Sequence, residues 1–274
     1  HPKRVPLFLA AGIFRPGQLF FRDYGRWYRH LLRFFTQIFV QHPSSAAILE
    51  TIGITRVNVA GDTRFDRVSQ VTRSEYHHPA LETFGQGRNV VVAGSTWERD
   101  EELLRHAFQE LPRETGWIIA PHEIREDHLE RLGRWFPGAV RFTRLGQEVP
   151  EESRVVLIDT IGQLSFLYRF GKVAYIGGGF GRGIHNILEA ATYGMPVLFG
   201  PNFRKFAEAV ELVGEGGAFP VKDQDTVLAA LQSLFTDPAL LDERSTIASR
   251  FVSQRKGATK RIVNHISRTI REET

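Results

Sequence analysis

The sequence predicts an α/β fold of the doubly wound type, in which helices cover both faces of a parallel sheet. Short apolar runs rich in Val and Ile recur along the chain and read as continuous stretches, which is typical of parallel strands buried on both faces. Helical patterns separate most of them, as the connections of a parallel sheet require. The predicted strands are 5–9, 38–40, 56–59, 89–93, 117–120, 139–142, 154–158, 172–176 and 196–199. The predicted helices are 18–35, 44–52, 99–112, 126–135, 161–169, 185–193, 203–214, 223–235, 238–253 and 258–271.

Two domains are expected, because the polar segment 67–87 interrupts the alternation and contains one proline and two glycines. In chain order we expect the closing part of an incomplete first domain, a linker, a Rossmann-like doubly wound domain of about six strands, and a C-terminal helix that can pack back on the first domain. The expected ranges are 1–67, 68–87, 88–255 and 256–274.

The composition is that of an ordinary globular protein, with 42% hydrophobic and 24% charged residues. No apolar run approaches the roughly 18 residues that a membrane-spanning helix needs. The absence of cysteine excludes disulfides and thiolate chemistry, and it fits a reducing compartment. The sequence starts at His1 and reaches a strand-like segment almost at once, so we expect a fragment whose natural N-terminus lies upstream.

Positive charge is concentrated near the start of the sequence. Residues 1–49 carry seven Lys or Arg and one acid, a balance of +6, which leaves −2 for the rest of a chain whose net charge is +4. A nucleic-acid-binding protein would spread its basic charge more widely, so no nucleic-acid partner is predicted.

An aromatic and basic pattern occupies the predicted helix 18–35. Its arginines recur at three- and four-residue intervals and line one predicted stripe: Arg22, Arg26, Arg29 and Arg33. Such a helix can lie on an anionic membrane surface, on the acceptor side of an enzyme. A core-packed helix with a solvated basic edge explains the pattern equally well.

The segment 174–201, AYIGGGFGRGIHNILEAATYGMPVLFGP, leads from an apolar strand through a glycine triplet into a helix predicted to begin near His185. Glycines let main-chain amides approach an anion, and a helix N-terminus adds free N–H groups, so the triplet is predicted to bind phosphate. Glu189 follows His185 by four residues and is expected on the same helical face, where a carboxylate can accept hydroxyl hydrogen bonds from ribose. The plain alternative is a turn in which His185 and Asn186 cap the helix.

Three further strand ends carry polar or glycine residues. VVVAGSTWERDEELL places Ser95 and Thr96 after one strand, where they can bind a ligand or cap the next helix. IIAPHEIREDHL places His122 after the following strand, and LIDTIGQLSFLY places Asp159 after a third. Because ligands of open α/β sheets bind beyond the carboxyl ends of the strands, these ends together predict one binding site.

Familiar catalytic motifs are missing from the sequence. His77 and His78 are adjacent and point apart, and no His-x-x-x-His or Asp-x-Asp motif follows a strand, so no metal is predicted. There is no Gly-x-Ser-x-Gly elbow and no Walker loop. Serine-hydrolase and NTPase functions therefore have no support, and no cofactor is predicted.

These motifs, in this order, resemble the Kdo transferases (3-deoxy-D-manno-octulosonic acid transferases, glycosyltransferase family 30) of lipopolysaccharide synthesis. The resemblance covers residues 55–220, from VNVAGDTRFDRV through VVAGSTWERDEELL and IIAPHE to VVLIDTIGQLSFLYRFGKVAYIGGGF and GIHNILEAATYGMPVLFGPNFRKFAEA. The Asp-Thr-x-Gly-x-Leu and Gly-Pro-x-x-x-x-Phe segments make it specific, since related enzymes share the glycine loop without them.

The resemblance implies a GT-B glycosyltransferase that transfers Kdo from CMP-Kdo to a lipid A precursor, lipid IVA, with inversion and without a metal. It implies that the protein lies at the cytoplasmic face of the bacterial inner membrane, peripherally or through an N-terminal anchor. The glycine loop and Asn186 would hold the phosphate, and Glu189 would lie near the ribose or the sugar. The donor-binding residues predicted in this way are Ser95, Thr96, His122, Gly177, Gly178, Gly179, His185, Asn186 and Glu189.

Two departures from the family pattern matter for function. His122 stands where many members have arginine, which leaves its phosphate contact open. The family's general base is a glutamate near the start of the N-terminal domain, before any residue present here. No catalytic residue is therefore assigned, and the chain is expected to bind the donor with negligible turnover.

Two other functions stay open at this point. One is a UDP-sugar enzyme of the same fold, such as a UDP-N-acetylglucosamine 2-epimerase or a hexosaminyltransferase. The other is a non-catalytic module that binds anions or a membrane through its arginine-rich segment.

Overall fold

The computed structural model describes residues 5–146 and 149–272. By its internal contacts the chain forms two compact units. The larger unit is Val68–Val252, and the smaller unit joins the residues up to Arg67 with those from Ser253 onward. The smaller unit is therefore discontinuous in sequence.

Strands and helices alternate along most of the chain, as the sequence predicts. The strands are β1 (Phe8–Gly12), β2 (Gln37–Val40), β3 (Val57–Val59), β4 (Asn89–Thr96), β5 (Thr115–Pro121), β6 (Val140–Arg141), β7 (Val155–Leu157), β8 (Val173–Ile176), β9 (Val197–Phe199) and β10 (Ala218–Pro220). The α-helices are α1 (Arg29–Leu32), α2 (Pro43–Glu50), α3 (Thr63–Val71), α4 (Pro79–Gly85), α5 (Glu98–Glu110), α6 (Glu126–Trp135), α7 (Leu164–Leu167), α8 (Leu188–Ala191), α9 (Ala207–Glu215), α10 (Gln224–Thr236), α11 (Pro238–Gln254) and α12 (Ala258–Glu272).

The smaller unit contains a three-stranded parallel sheet in the order β1-β2-β3. Ile38 and Val40 of β2 are buried against Leu49 of α2 and against Phe14 and Leu32. Helix α2 begins with a proline at its first position, where the missing N–H costs nothing, and His42 accepts the Ser44 N–H through Nδ1 at 3.2 Å.

The expected continuous helix over 18–35 is wrong. The segment forms two 3₁₀ helices, Leu19–Phe21 and Asp23–Tyr28, followed by the four-residue α1. Arg22 is extended between the two 3₁₀ helices, and a Cβ built on Gly25 would lie 1.7 Å from the Leu19 carbonyl oxygen. The glycine thus permits a close main-chain approach that a regular helix does not make, and the arginines do not share one helical stripe.

Helix α12 is fixed to the smaller unit at its first turn. The Asp66 carboxylate accepts the N–H groups of Gly257 and Thr259 at 2.6 and 2.8 Å, so it caps a helix 191 and 193 residues further along the chain. Burial raises the pKa of Asp66, but these hydrogen bonds outweigh it and the pKa is lowered. The Arg261 guanidinium donates to the Ala60 carbonyl, at the end of β3, at 2.6 and 2.9 Å.

The larger unit contains a seven-stranded sheet in the order β10-β9-β8-β4-β5-β7-β6, with every pair parallel. Its first strand, β4, lies in the middle. The chain adds β5, β6 and β7 on one side of β4 and then returns to place β8 on the other side. This order is that of a doubly wound sheet, the class predicted from the sequence, and it puts a topological switch point between β4 and β8.

Two features of the larger unit were not predicted. Strand β10 is short, and only Ala218 in it is buried. Helix α4 lies in the segment 68–87 that was expected to be a linker, and this segment belongs to the larger unit. One face of α4 is buried, and it consists of Ala80, Leu81 and Phe84. The polar residues around them make this apolar face difficult to recognise in the sequence.

Candidate functional site

The carboxyl ends of β4 and β8 lie side by side at the switch point. Gly94 of β4 pairs with Ile176 of β8. Ser95 follows the first of these residues and the glycine triplet follows the second, so the two segments start side by side. Strand β5 pairs with β4 on the other side, and the His122 N–H donates to the Thr96 carbonyl at 2.8 Å. Three of the strand ends singled out in the sequence thus meet at one edge of the sheet.

The glycine triplet is buried and tightly packed. A Cβ on Gly177 would lie 2.2 Å from the Ser95 carbonyl oxygen, and one on Gly179 would lie 2.5 Å from the Gly200 nitrogen. Gly178 has φ of +89°. Glycine is therefore required at these positions because main chain passes against main chain.

The amides of the triplet are largely taken by the protein itself, which differs from the expected phosphate cradle. The Gly177 N–H donates to the Gly94 carbonyl and the Gly178 N–H to the Asp100 carboxylate, both at 2.9 Å. The amides that donate to no acceptor among the described residues include those that follow along the loop: Gly179, Phe180, Arg182, Ile184 and Asn186. The loop 179–186, rather than the triplet, can offer N–H groups to an anion.

Asp100 holds this arrangement together and was not singled out in the sequence. It is 1% exposed, and besides the Gly178 amide its carboxylate accepts the Trp97 N–H at 2.9 Å and the Tyr175 hydroxyl at 2.8 Å. Burial raises the pKa of Asp100, although the three hydrogen bonds oppose the shift. The side chain therefore ties the first turn of α5 to the end of β8.

A second buried network lies behind the first. The Thr96 hydroxyl donates to Glu101 at 2.9 Å, and His128 Nε2 lies 2.7 Å from the other oxygen of the same carboxylate. Burial raises the pKa of Glu101 despite these contacts. Thr96, predicted to contact the donor, is fully buried, so its hydroxyl supports the site from within.

Three aromatic rings stack at the edge of the site. The His122 ring lies 4.4 Å from that of Trp97 and 4.5 Å from that of His185, with interplanar angles of 28° and 29°. The Trp97 indole N–H donates to His185 Nε2 at 3.2 Å, which requires that nitrogen to be unprotonated. Burial, and then the neighbouring His122, lower the pKa of His185, so the neutral form that this bond needs is favoured.

Ser95 has a left-handed backbone conformation, with φ of +52°. The pairing of β4 with β5 shifts register between Gly94 and Thr96, so Ser95 occupies an irregularity at the end of the strand. Non-glycine residues in this conformation often mark functional sites, because the surrounding structure must hold them there. The Ser95 side chain is half-buried.

The helix expected from His185 is shorter than predicted and begins at Leu188. Asn186 accepts the Leu188 N–H at 3.1 Å and donates to Glu189 at 2.9 Å. Asn186 thus caps the helix, which is the plain alternative named above. Because His185 precedes the helix, it does not share a helical face with Glu189, which instead contacts Asn186.

The four arginines of 18–35 belong to the smaller unit and act in two different ways. Arg29 donates to the Phe20 carbonyl at 2.7 Å, and Arg22 donates to the Gly17 carbonyl at 3.1 Å, so both brace their own segment. Arg26 and Arg33 are exposed, and neither side chain bonds to any residue that the structure describes. Trp27 and Phe34 beside them are 71% and 70% exposed.

The described residues contain neither a metal-binding group nor a membrane-spanning helix. In 5–146 and 149–272 there is no group of three or more His, Cys, Asp or Glu placed to hold a metal ion. Within the same ranges no helix is both long and apolar enough to cross a membrane.

Comparison with known proteins points to one family. The family model described as 3-deoxy-D-manno-octulosonic-acid transferase (kdotransferase) matches residues 1–67. The 3-deoxy-D-manno-octulosonic acid transferase of Bordetella pertussis is 27% identical over 274 residues, 95% of this chain. That of Aquifex aeolicus is 32% identical over 152 residues, 53% of this chain. The resemblance to the Kdo transferases that the sequence predicts is confirmed.

The chain spans only part of these Kdo transferases, 63% of the Bordetella protein and 42% of the Aquifex protein. Among solved structures, it resembles the C-terminal CMP-Kdo binding domain of WaaA from Acinetobacter baumannii. The TM-score is 0.56 and the identity 21%, over 69% of this chain and 97% of that domain. It also resembles MnaA of S. aureus in complex with UDP, with a TM-score of 0.63 and 17% identity over 98% and 70% of the two chains. These likenesses confirm the predicted GT-B fold.

Proposed function

We propose that the larger unit binds CMP-Kdo and that the chain serves the transfer of Kdo to a lipid A precursor, lipid IVA, in lipopolysaccharide synthesis. The observation that carries the proposal is the meeting of Ser95, His122 and the loop 179–186 at the β4–β8 switch point, in a chain that is similar to Kdo transferases. A relative of the same fold, the WaaA domain from Acinetobacter baumannii, is described as binding CMP-Kdo.

The chemistry of glycosyl transfer explains what these residues would do. As the bond between the sugar and CMP breaks, negative charge develops on the departing phosphate. N–H groups already aimed at that charge lower the barrier, because they need no reorganisation during the reaction. The free amides of the loop 179–186 and the imidazole of His122 are the candidate donors, and Glu189 is a candidate for the ribose or sugar hydroxyls. We propose inversion and no metal for the transfer, and we assign no general base.

The experiment that tests the proposal compares two nucleotides. CMP at a hundredfold excess over its dissociation constant should stabilise the larger unit by about 2.7 kcal/mol, which raises the melting temperature by several degrees. UDP at the same concentration should raise it little. The His122→Ala variant should bind CMP more weakly, whereas His77→Ala, whose side chain is 78% exposed, serves as the matched control. Protection by UDP and not by CMP would instead favour a UDP-sugar enzyme.

We also propose that the smaller unit contacts the cytoplasmic face of the inner membrane, peripherally or through a further anchor. The exposed pair Arg26 and Arg33 and the exposed rings of Trp27 and Phe34 support this proposal, because cations and interfacial aromatics favour anionic bilayer surfaces. The acceptor, a lipid, would be presented at that surface.

A further inference from the structure

A cationic cleft adjoins the loop 179–186 and is lined by charged side chains that neither the sequence analysis nor the proposed donor site uses. Its volume is about 310 Å³, and it is lined by Gly181, Arg182, Pro201, Asn202, Arg204 and Lys205. The first two residues come from the loop after β8, and the other four follow β9. The cleft therefore lies at the carboxyl ends of two neighbouring strands, where ligands of parallel sheets bind.

The two loops that form the cationic cleft are held together by hydrogen bonds. The Asn202 N–H donates to the Gly179 carbonyl and its side-chain amide donates to the Gly181 carbonyl, both at 2.9 Å. The Lys205 ammonium donates to the Arg182 carbonyl. Gly183 leaves the space that Lys205 occupies, since a Cβ there would lie 2.6 Å from Lys205 Cε. The cleft is thus formed before any ligand arrives.

The charges of the cationic cleft are not neutralised by the protein. Three cations line it, no carboxylate does, and Arg182, Arg204 and Lys205 form no ion pair with any residue in the described part of the chain. Elsewhere in the larger unit, several arginines are paired with acids, as Arg141 is with Glu126 and Arg99 with Glu102. Like charges held in one concave site repel each other and attract anions, so an oxyanion bound there relieves the repulsion.

We propose that the cationic cleft binds a second oxyanion of the substrates, separate from the donor phosphate. This inference rests on the proposed function. An octulosonic acid carries a carboxylate, and a phosphorylated lipid acceptor carries phosphates. Both groups have oxygens that can accept two hydrogen bonds from one guanidinium. The chemistry shared by the two sources is a compact oxyanion, and the experiment below distinguishes them.

The first test measures the affinity of the full chain for inorganic phosphate by titration calorimetry, with CMP at saturation to fill the donor site. The double variant Arg182→Gln and Arg204→Gln should bind phosphate about tenfold more weakly than the wild type, because it lacks two charge-assisted contacts. Arg134→Gln, which removes an exposed arginine at the end of α6, is the matched control and should bind as the wild type does. Equal affinities for the wild type and the double variant overturn the proposal.

The second test identifies the source of the oxyanion with pairs of probes that differ only in charge. A preference for Kdo over its methyl ester, lost in the double variant, assigns the cationic cleft to the donor carboxylate. A preference for glucosamine 1-phosphate over glucosamine, lost in the same variant, assigns it to an acceptor phosphate. If the double variant retains every preference that the wild type shows, the proposal is overturned.

Failure of this inference differs from failure of the proposed function. CMP affinity should be unchanged in the single variant Arg204→Gln, which alters the cationic cleft but lies outside the loop 179–186. If the wild type binds CMP but the wild type and the double variant bind phosphate equally, only the second anion site is rejected. If the wild type does not bind CMP, the proposed function is rejected. The affinity for phosphate can then still be measured in the absence of CMP.

Discussion

Asp100 joins two segments of the site that lie 78 residues apart, and its substitution should be costly. In Asp100→Ala, the buried N–H groups of Trp97 and Gly178 and the Tyr175 hydroxyl lose their acceptor, so we expect about 3 kcal/mol of lost stability. In Asp100→Asn, the amide oxygen can still accept both N–H groups and the new NH₂ can donate to the Tyr175 hydroxyl, so the loss should stay below about 1.5 kcal/mol. Urea denaturation checks both values, and equal losses would contradict this account.

His185 should make the stability of the larger unit depend on pH. Its pKa is lowered in the folded state by burial, so the unfolded chain takes up the proton more readily. Stability is therefore lost as the pH falls below about 6.5, the ordinary histidine value, towards the folded pKa. His185→Gln keeps an acceptor for the Trp97 indole N–H but does not titrate.

Between pH 7.5 and 5.5, we expect the wild type to lose up to about 1 kcal/mol more stability than His185→Gln. The pKa values of Asp100 and Glu101 are raised, and they act in the opposite direction because the folded state then binds protons more readily. Both acids remain in the variant, so the difference between the two proteins isolates His185. Parallel pH profiles of the two proteins would argue against this role.

At the scale of single residues, the sequence identified candidates that follow directly after strands, such as Ser95 and His122. It missed Asp100 and Trp97, because their contacts join residues far apart in sequence and follow from strand order. One signal was present, since an acid three residues after Trp97 is the position of a capping box. That pattern explains the bond to the Trp97 amide, but not the bond to Gly178.

At the scale of elements, the glycine triplet works through close packing, and alanine scanning should show it. In Gly179→Ala, the added Cβ would lie 2.5 Å from the Gly200 nitrogen, which is main chain and cannot swing away. We expect a loss of about 1–3 kcal/mol. In Gly181→Ala, the nearest atom would be 3.6 Å from the new Cβ, so this control should change stability by less than about 0.5 kcal/mol. Thermal unfolding of both variants measures the difference, and similar losses would contradict the packing role.

Elements with a clear apolar period were predicted well, and those without one were not. Helix α6 has the predicted bounds, 126–135, because its apolar residues recur on one face. The segment 18–35 was predicted as one helix from the spacing of its arginines, yet Gly25 and the extended Arg22 divide it. Helix α8 begins at Leu188, three residues later than expected, and Asn186 accepts the N–H of that first residue. Caps and close main-chain contacts are decided by tertiary packing, which a single sequence does not display.

At the scale of the whole molecule, the two units carry different surfaces, and the exposed arginines of the smaller unit should bind anionic membranes. Removing Arg26 and Arg33 by Gln substitution should cost about 1 kcal/mol per charge, or about thirtyfold in partitioning at low salt. Cosedimentation with vesicles of anionic lipid measures it, and vesicles of neutral lipid serve as the reference. Arg134→Gln, in the larger unit, should have no effect. Unchanged binding in the double variant would remove the support for membrane contact.

The parallel α/β class was predictable because nearly every strand is a continuous apolar run, as β4 and β8 show. The order of the seven strands was not predictable, since an apolar run does not indicate which other strands it pairs with. That order places the end of β4 beside the end of β8, so the switch point could be located only from the structure. The short motifs that carry the resemblance to Kdo transferases can be read in the sequence, whereas the contacts of Asp100 cannot.

The capping of α12 by Asp66 has a consequence for biosynthesis. The ribosome releases all of Val68–Val252 before it releases Gly257 and Thr259, the two residues whose N–H groups Asp66 receives. The smaller unit therefore cannot complete its fold until this final segment has been synthesised, although its three strands are made first. Until that segment emerges, β2 lacks the cover that α12 gives to Phe39 through Ile262 and His265. Released chains truncated just before residue 257 should therefore expose an apolar surface that chaperones recognise.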